Sequence, residues 1–201
     1  MKPRGTYQRG TSLAELLLST AFVSILMAIS YTFARAALMT SRVQAVKSDA
    51  QEATVMALDI MAHELRMAGF SAAAVSLPPL RAAAPDRIDV VCDLNGDGDT
   101  TDSNERVAYS YDDVVHEVKR ATGGASPQPF LHNVAPLGFH LSYFDAAGNE
   151  IPAATAGMPA ADLVRVHRID VALQVEFTNP DPNVAMPLRS AMTSSICLRN
   201  Q

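Results

Sequence analysis

Nineteen consecutive residues, Leu16 to Ala34, carry no charged side chain, and Glu15 and Arg35 close the run at either end. At 1.5 Å per residue, a helix of that length covers a hydrocarbon core of about 30 Å. Neither Gly nor Pro occurs from Thr11 to Ala68, so nothing stops the helix after the apolar run. Lys2, Arg4 and Arg9 precede it, and the first ten residues hold no acid. Positive residues on a short leading segment keep that end in the cytoplasm, which puts the remainder outside, in the periplasm of a two-membrane cell.

A secretory signal peptide shares the basic start and the apolar stretch. Here the run is longer than a usual apolar signal core, no small-x-small cleavage site closes it, and Arg35-Ala-Ala-Leu-Met continues in a helical register. A plain single-span anchor leaves Glu15 unexplained. An unpaired carboxylate inside an apolar helix costs on the order of 3 kcal/mol, so Glu15 calls for a partner.

Arg9-Gly10-Thr11-Ser12-Leu13-Ala14-Glu15-Leu16-Leu17-Leu18 resembles the class III signal of type IV pilins and pseudopilins: a basic leader ending in Gly, then an apolar helix with Glu as its fifth residue. The sequence departs from that pattern at Thr11, where Phe or Met is usual, and at Ala14, where a larger aliphatic is common. The resemblance implies cleavage after Gly10 by a prepilin peptidase, methylation of the new amino terminus at Thr11, and pairing of Glu15 with a neighbouring subunit's α-amino group during assembly. Losing the three basic leader residues leaves 13 bases against 21 acids, a net charge of −8.

The helix beyond the apolar run is amphipathic. Met39, Val43, Val46, Ala50, Ala53, Ala57 and Ile60 step by three and four, and after Val55 the stripe widens to take in Met56, Leu58, Met61 and Leu65. Lys47, Asp49, Glu52 and Asp59 lie off the stripe. Gly69 is a natural stop, and Pro78-Pro79 prevents resumption. The expected organisation is a leader over 1–10, a membrane and assembly helix over 11–38, an amphipathic helix over 39–69 and a β-rich periplasmic domain over 70–201.

Residues 88–198 read as strands: Ile88–Cys92, Arg106–Tyr111, Val114–Arg120, Phe139–Phe144, Arg168–Phe177 and Ala191–Leu198. The fifth alternates over ten residues, with Ile169, Val171, Leu173, Val175 and Phe177 on one face. Local turns favour an antiparallel sheet covered by the upper helix, an α+β fold, with surface loops at 72–84, 122–129 and 152–159. The His63–Phe70 helix end, the Asn95–Asp99 loop and the terminal Leu198-Arg199-Asn200 are similar to PilW-type minor pilins, whose secretion counterparts are the J-type minor pseudopilins.

Catalytic signatures are missing. His63-Glu64 starts an HExxH pattern, but Met67 stands where the second His belongs. His116, His132, His140 and His167 share no ligand spacing, and neither a nucleophile elbow nor a phosphate loop occurs. The net charge of −5 offers no basic surface to a nucleic-acid backbone. An assembly protein rather than an enzyme is expected, with no required cofactor. The partners the resemblance implies are other minor and major pilins, the prepilin peptidase and an inner-membrane assembly platform.

Two features carry chemistry. From Asp86 to Glu117 there are ten acids and two bases, and Asp93-x-Asn95-x-Asp97-Gly98-Asp99 has the oxygen spacing of a calcium loop's first half. Glu105, with Asp102 beside it, is the further ligand in reach, although it falls one place beyond the twelfth position an EF-hand uses. The same residues also suit an ordinary hairpin turn. Cys92 and Cys197, on the first and last expected strands, would pair across a long loop in an oxidising compartment, or remain two free thiols. The expected function, implied by the resemblance, is that of a minor pilin in the initiation and assembly of a type IV pilus; the alternatives are a J-type minor pseudopilin of a type II secretion pseudopilus and, from another functional class, a membrane-anchored calcium- or ligand-binding module.

Overall fold

A computed structural model describes residues 12–73 and 75–199. The expected processing site, Gly10 and Thr11, lies outside the described residues. Two units divide the chain, one ending at Gln44 and the other beginning at Ala45.

Helix α1 spans Leu13–Met67. In the first unit it is exposed on every side: Leu16, Phe22, Leu26 and Ile29 are each more than half exposed, and the most apolar stretch contains no buried residue. This part of the chain is long and apolar enough to cross a membrane. Its hydroxyls do not interrupt that property. Ser19 Oγ donates to the Glu15 carbonyl at 2.8 Å, Thr20 Oγ1 to Leu17 at 2.9 Å, Ser24 Oγ to Thr20 at 2.8 Å and Thr32 Oγ1 to Ile29 at 2.8 Å. A hydroxyl satisfied within its own helix needs no water, so it is compatible with hydrocarbon.

In the second unit α1 buries Ala50, Thr54, Ala57, Leu58, Met61, Ala62 and Leu65. Ala50, Ala57, Leu58, Met61 and Leu65 of the expected stripe are buried, whereas Met56 and Ile60 are exposed and Thr54 joins the buried face. A step from Ala50 leads to position 53 or 54 with equal ease. Thr54 can take the inner place because its Oγ1 donates to the Ala50 carbonyl at 2.7 Å and leaves no open donor in the core. Gly69 ends the helix region at φ 75° and donates its N–H to the Val91 carbonyl at 2.8 Å. The positive φ favours glycine there.

Two antiparallel sheets follow. Strands β1 (Leu80–Ala84), β2 (Arg87–Val91), β3 (Arg106–Asp112), β4 (Glu117–Thr122) and β5 (Gln128–Leu131) form a five-stranded meander in chain order. Strands β6 (Val134–Phe144), β7 (Glu150–Ile151), β8 (Arg168–Phe177) and β9 (Leu188–Cys197) form a second sheet in the order β7-β6-β8-β9, and a short helix, α2 (Ala160–Leu163), precedes β8. The fold is α+β, a long N-terminal helix packed on antiparallel sheets. The single sheet expected from sequence is in fact two, and one apolar core joins them to α1: Met61 and Leu65 cluster with Ile88, Tyr109 and Val118 of one sheet and Leu141, Val171 and Ile196 of the other.

Several expected boundaries change, β6 beginning at Val134 instead of Phe139 and β9 at Leu188 instead of Ala191. The loop assigned to 72–84 contains β1, whose Ala83 and Ala84 are fully buried against the core. The loop assigned to 122–129 ends inside β5. Val114 and Val115, read as strand, lie in an exposed turn because the Asp112 carboxylate accepts both of their backbone N–H groups, at 3.0 and 3.3 Å. That Asx turn overrides their β-branched preference.

Candidate functional site

The helix start carries the first candidate residue. Glu15 sits in the first turn of α1, and its backbone N–H donates to the Ser12 carbonyl at 2.9 Å. Its side chain is exposed and makes no hydrogen bond or ion pair among the described residues. The surrounding surface is Leu13, Leu16, Leu17 and Leu18, all exposed.

The β2–β3 loop holds the second candidate. Its base is tied to the chain after α1: the Asp93 N–H donates to the Phe70 carbonyl at 2.7 Å and the Ala72 N–H to the Asp93 carbonyl at 3.0 Å. Asp93 itself is fully buried and accepts from the Gly96 N–H at 2.6 Å and the Ser71 hydroxyl at 2.9 Å. These bonds shape the start of the loop. Asn95 also does structural work: its Oδ1 accepts the Asp97 N–H, while its Nδ2 donates to Asp97 and to Asp102, each at 2.9 Å.

Asp97, Asp99 and Glu105 are brought together, with one carboxylate oxygen from each within 4.8 Å of the others. Asp97 and Asp99 are exposed, whereas Glu105 is only 2% exposed. The Asp99 N–H and the Asn95 amide hold the Asp97 carboxyl below the usual range. Glu105 Oε1 accepts the N–H groups of Leu94 at 2.9 Å and Asn95 at 3.2 Å, but its Oε2 is buried with no hydrogen-bond partner. The one-residue offset of Glu105 does not keep it outside. The loop is flanked by strands instead of helices, and the Glu105 carbonyl accepts the Cys92 N–H at 2.8 Å, which turns the side chain inward.

A third cluster escapes the sequence reading. Glu64, met in the sequence only as part of an incomplete HExxH pattern, points at the sheet: Arg120 donates to it from Nε at 3.1 Å and Nη2 at 2.5 Å, and the Tyr109 hydroxyl donates to Glu64 Oε2. Burial, with Glu64 alongside, pushes the Tyr109 hydroxyl well above the ordinary tyrosine range. The available signal was spacing, since Ala57, Met61, Glu64 and Ala68 share one helical face. Glu64 and Arg120 line a cleft of about 260 Å³ together with Cys92, Asn104 and Glu105.

The cysteines are not joined. Cys92 is buried just after β2, where burial, with Glu105, Asp93 and Glu64 nearby, pushes its thiol up. Cys197 is exposed at the end of β9, in the other sheet. The alternation of β9 directs Ile196 into the core and therefore Cys197 outward, so the expected disulfide is replaced by two free thiols. The histidines are exposed and none joins a group of metal-ligating side chains among the described residues; His132 instead meets Glu117 at 2.6 Å. Compared with family models, curated proteins and solved structures, the chain matches none.

Proposed function

We propose that this chain is a minor pilin that takes part in the initiation and assembly of a type IV pilus through its hydrophobic N-terminal helix. The observation that carries this reading is the Glu15 carboxylate, unpartnered among the described residues, on a helix surface that is apolar and uncovered all round. Many such stems side by side would bury their apolar surfaces on one another. Glu15 would then meet the amino terminus of a neighbour, created by cleavage after Gly10. In a low dielectric, leaving either charge alone costs more than pairing them, so the pair sets axial register more than it adds net stability.

In this reading the protein is a single-pass inner-membrane protein with its amino terminus in the cytoplasm, as Lys2, Arg4 and Arg9 direct, and its β-rich domain in the periplasm. It reaches the pilus on assembly. Its partners are other pilins, the prepilin peptidase and the assembly platform, and its work involves no turnover.

Glu15→Ala tests the role of the carboxylate. The variant should stay in the membrane fraction, because the change makes the span more apolar, while its recovery in sheared fibres falls at least tenfold. Normal pilus number with normal recovery of the variant in fibres would contradict the proposal.

A further inference from the structure

We infer that the β2–β3 loop binds one Ca²⁺ through carboxylate oxygens of Asp97, Asp99 and Glu105. The inference is independent of the assembly role of α1. It begins with Glu105, a carboxylate that folding has removed almost wholly from water. One of its oxygens is fully used by two backbone N–H groups, and the other has no donor at all. Burying an ionised oxygen without a counter-group is costly, so a chain that does this gains most when a cation arrives.

The surroundings lack any such counter-group from the protein. Among the described residues no Lys, Arg or His pairs with Asp97, Asp99 or Glu105, and the adjacent Arg106 is committed to Asp89 by contacts of 3.0, 3.1 and 2.5 Å. Three carboxylates thus converge with their charges uncompensated.

The donor set favours Ca²⁺. Oxygens bound to one Ca²⁺ lie about 2.3–2.6 Å from it, so any two of them can stand up to about 5 Å apart. The three oxygens here fall within 4.8 Å of one another. Mg²⁺ is usually held by one or two carboxylates in a strict octahedron, and the set contains no His or Cys to favour a softer metal. Asp102, tethered to Asn95, and water would complete the shell. The frame is prepared in advance: Asp93 closes the loop on Gly96 and Ser71, and Gly96 and Gly98 adopt φ of 79° and 85°, which carry the chain round to Asp97 and Asp99.

Equilibrium dialysis of the full-length chain in detergent, stripped of metal by chelator and then given ⁴⁵Ca²⁺, tests this. One Ca²⁺ per chain should bind, with half-saturation at about 0.1–1 mM, the range of extracellular calcium modules. Asp97 and Asp99 are exposed, so the double variant Asp97→Asn/Asp99→Asn should keep its far-ultraviolet circular dichroism and bind at least tenfold more weakly. Glu105→Gln retains an acceptor for Leu94 and Asn95 but loses the charge. It should also bind at least tenfold more weakly, and in chelator it should melt no lower than the unsubstituted chain, whose own melting temperature rises by several degrees with Ca²⁺. Absence of uptake at about 10 mM Ca²⁺, uptake unchanged in the double variant, or equal competition by Mg²⁺ would each overturn the site.

Discussion

Raising the pH above 10 should unfold the β-rich unit steeply, with a loss of about 2.7 kcal/mol per pH unit from two tyrosines alone. Tyr109 and Tyr143 are both fully buried. The Tyr143 hydroxyl donates to the Ala84 carbonyl at 2.8 Å and lies 3.3 Å from that of Arg87, while Tyr109 donates to Glu64. Burial raises both hydroxyls well above the tyrosine range, with Glu64 adding to the effect at Tyr109. In the unfolded chain both ionise near pH 10. Folded-state affinities for the proton that are raised in this way give stability that is complete below pH 10. It is lost above it, because only the unfolded chain releases the protons. Denaturant midpoints of the full chain between pH 9 and 11.5 measure the slope, and Tyr143→Phe should remove about half of it. A flat profile to pH 11.5 would show that neither hydroxyl is held as described.

Glu64→Ala should cost the same unit about 3 kcal/mol. The substitution leaves the Arg120 guanidinium without its acceptor in a partly buried place and the fully buried Tyr109 hydroxyl without its own. Removing one partner of a buried ion pair costs about 3–5 kcal/mol, and the one-third exposure of Arg120 places this pair at the lower end. Glu64→Gln keeps an acceptor for Tyr109 and loses only the charge, so it should cost less. Arg120→Ala in the Glu64→Ala background should add little, since the guanidinium there has no acceptor to lose. Urea titration of the unsubstituted chain, Glu64→Ala, Arg120→Ala and the double variant reads the coupling directly, and additive losses would mean that Glu64 and Arg120 do not act together.

The parts of the fold that were legible in the sequence are those where one side of an element meets the core and the other meets water. Strand β8 was readable end to end because Ile169, Val171, Leu173 and Val175 are buried while their neighbours are not. The apolar start of α1 was equally plain, being a stretch with no charge to place. Legibility failed where small or polar residues do the packing. In β1 the work is done by Ala83 and Ala84, whose composition resembles a linker, and in α1 Thr54 enters the core by bonding to its own helix.

Among the candidate residues, the grouping of Asp97 and Asp99 with Glu105 was readable from spacing, but the division of labour was not. Asp93 and Asn95 also hold the loop together, Asp93 accepting from Ser71 and the Gly96 N–H and Asn95 from the Asp97 N–H, which spacing alone does not reveal. Glu64 shows the same limit from the other direction. Its charge suggested solvent, and only the position of Arg120, 56 residues away, makes the sheet a suitable environment.

The central claim is that α1 begins life behind a short leader and keeps its apolar run afterwards as the assembly stem. Intact-mass spectrometry of the protein purified from membranes tests that claim most directly. The account predicts a chain beginning at Thr11, with one added methyl group, that still contains the run from Leu16 to Ala34. An intact Met1, or a chain cut beyond Ala34 so that the apolar run is lost, would contradict it.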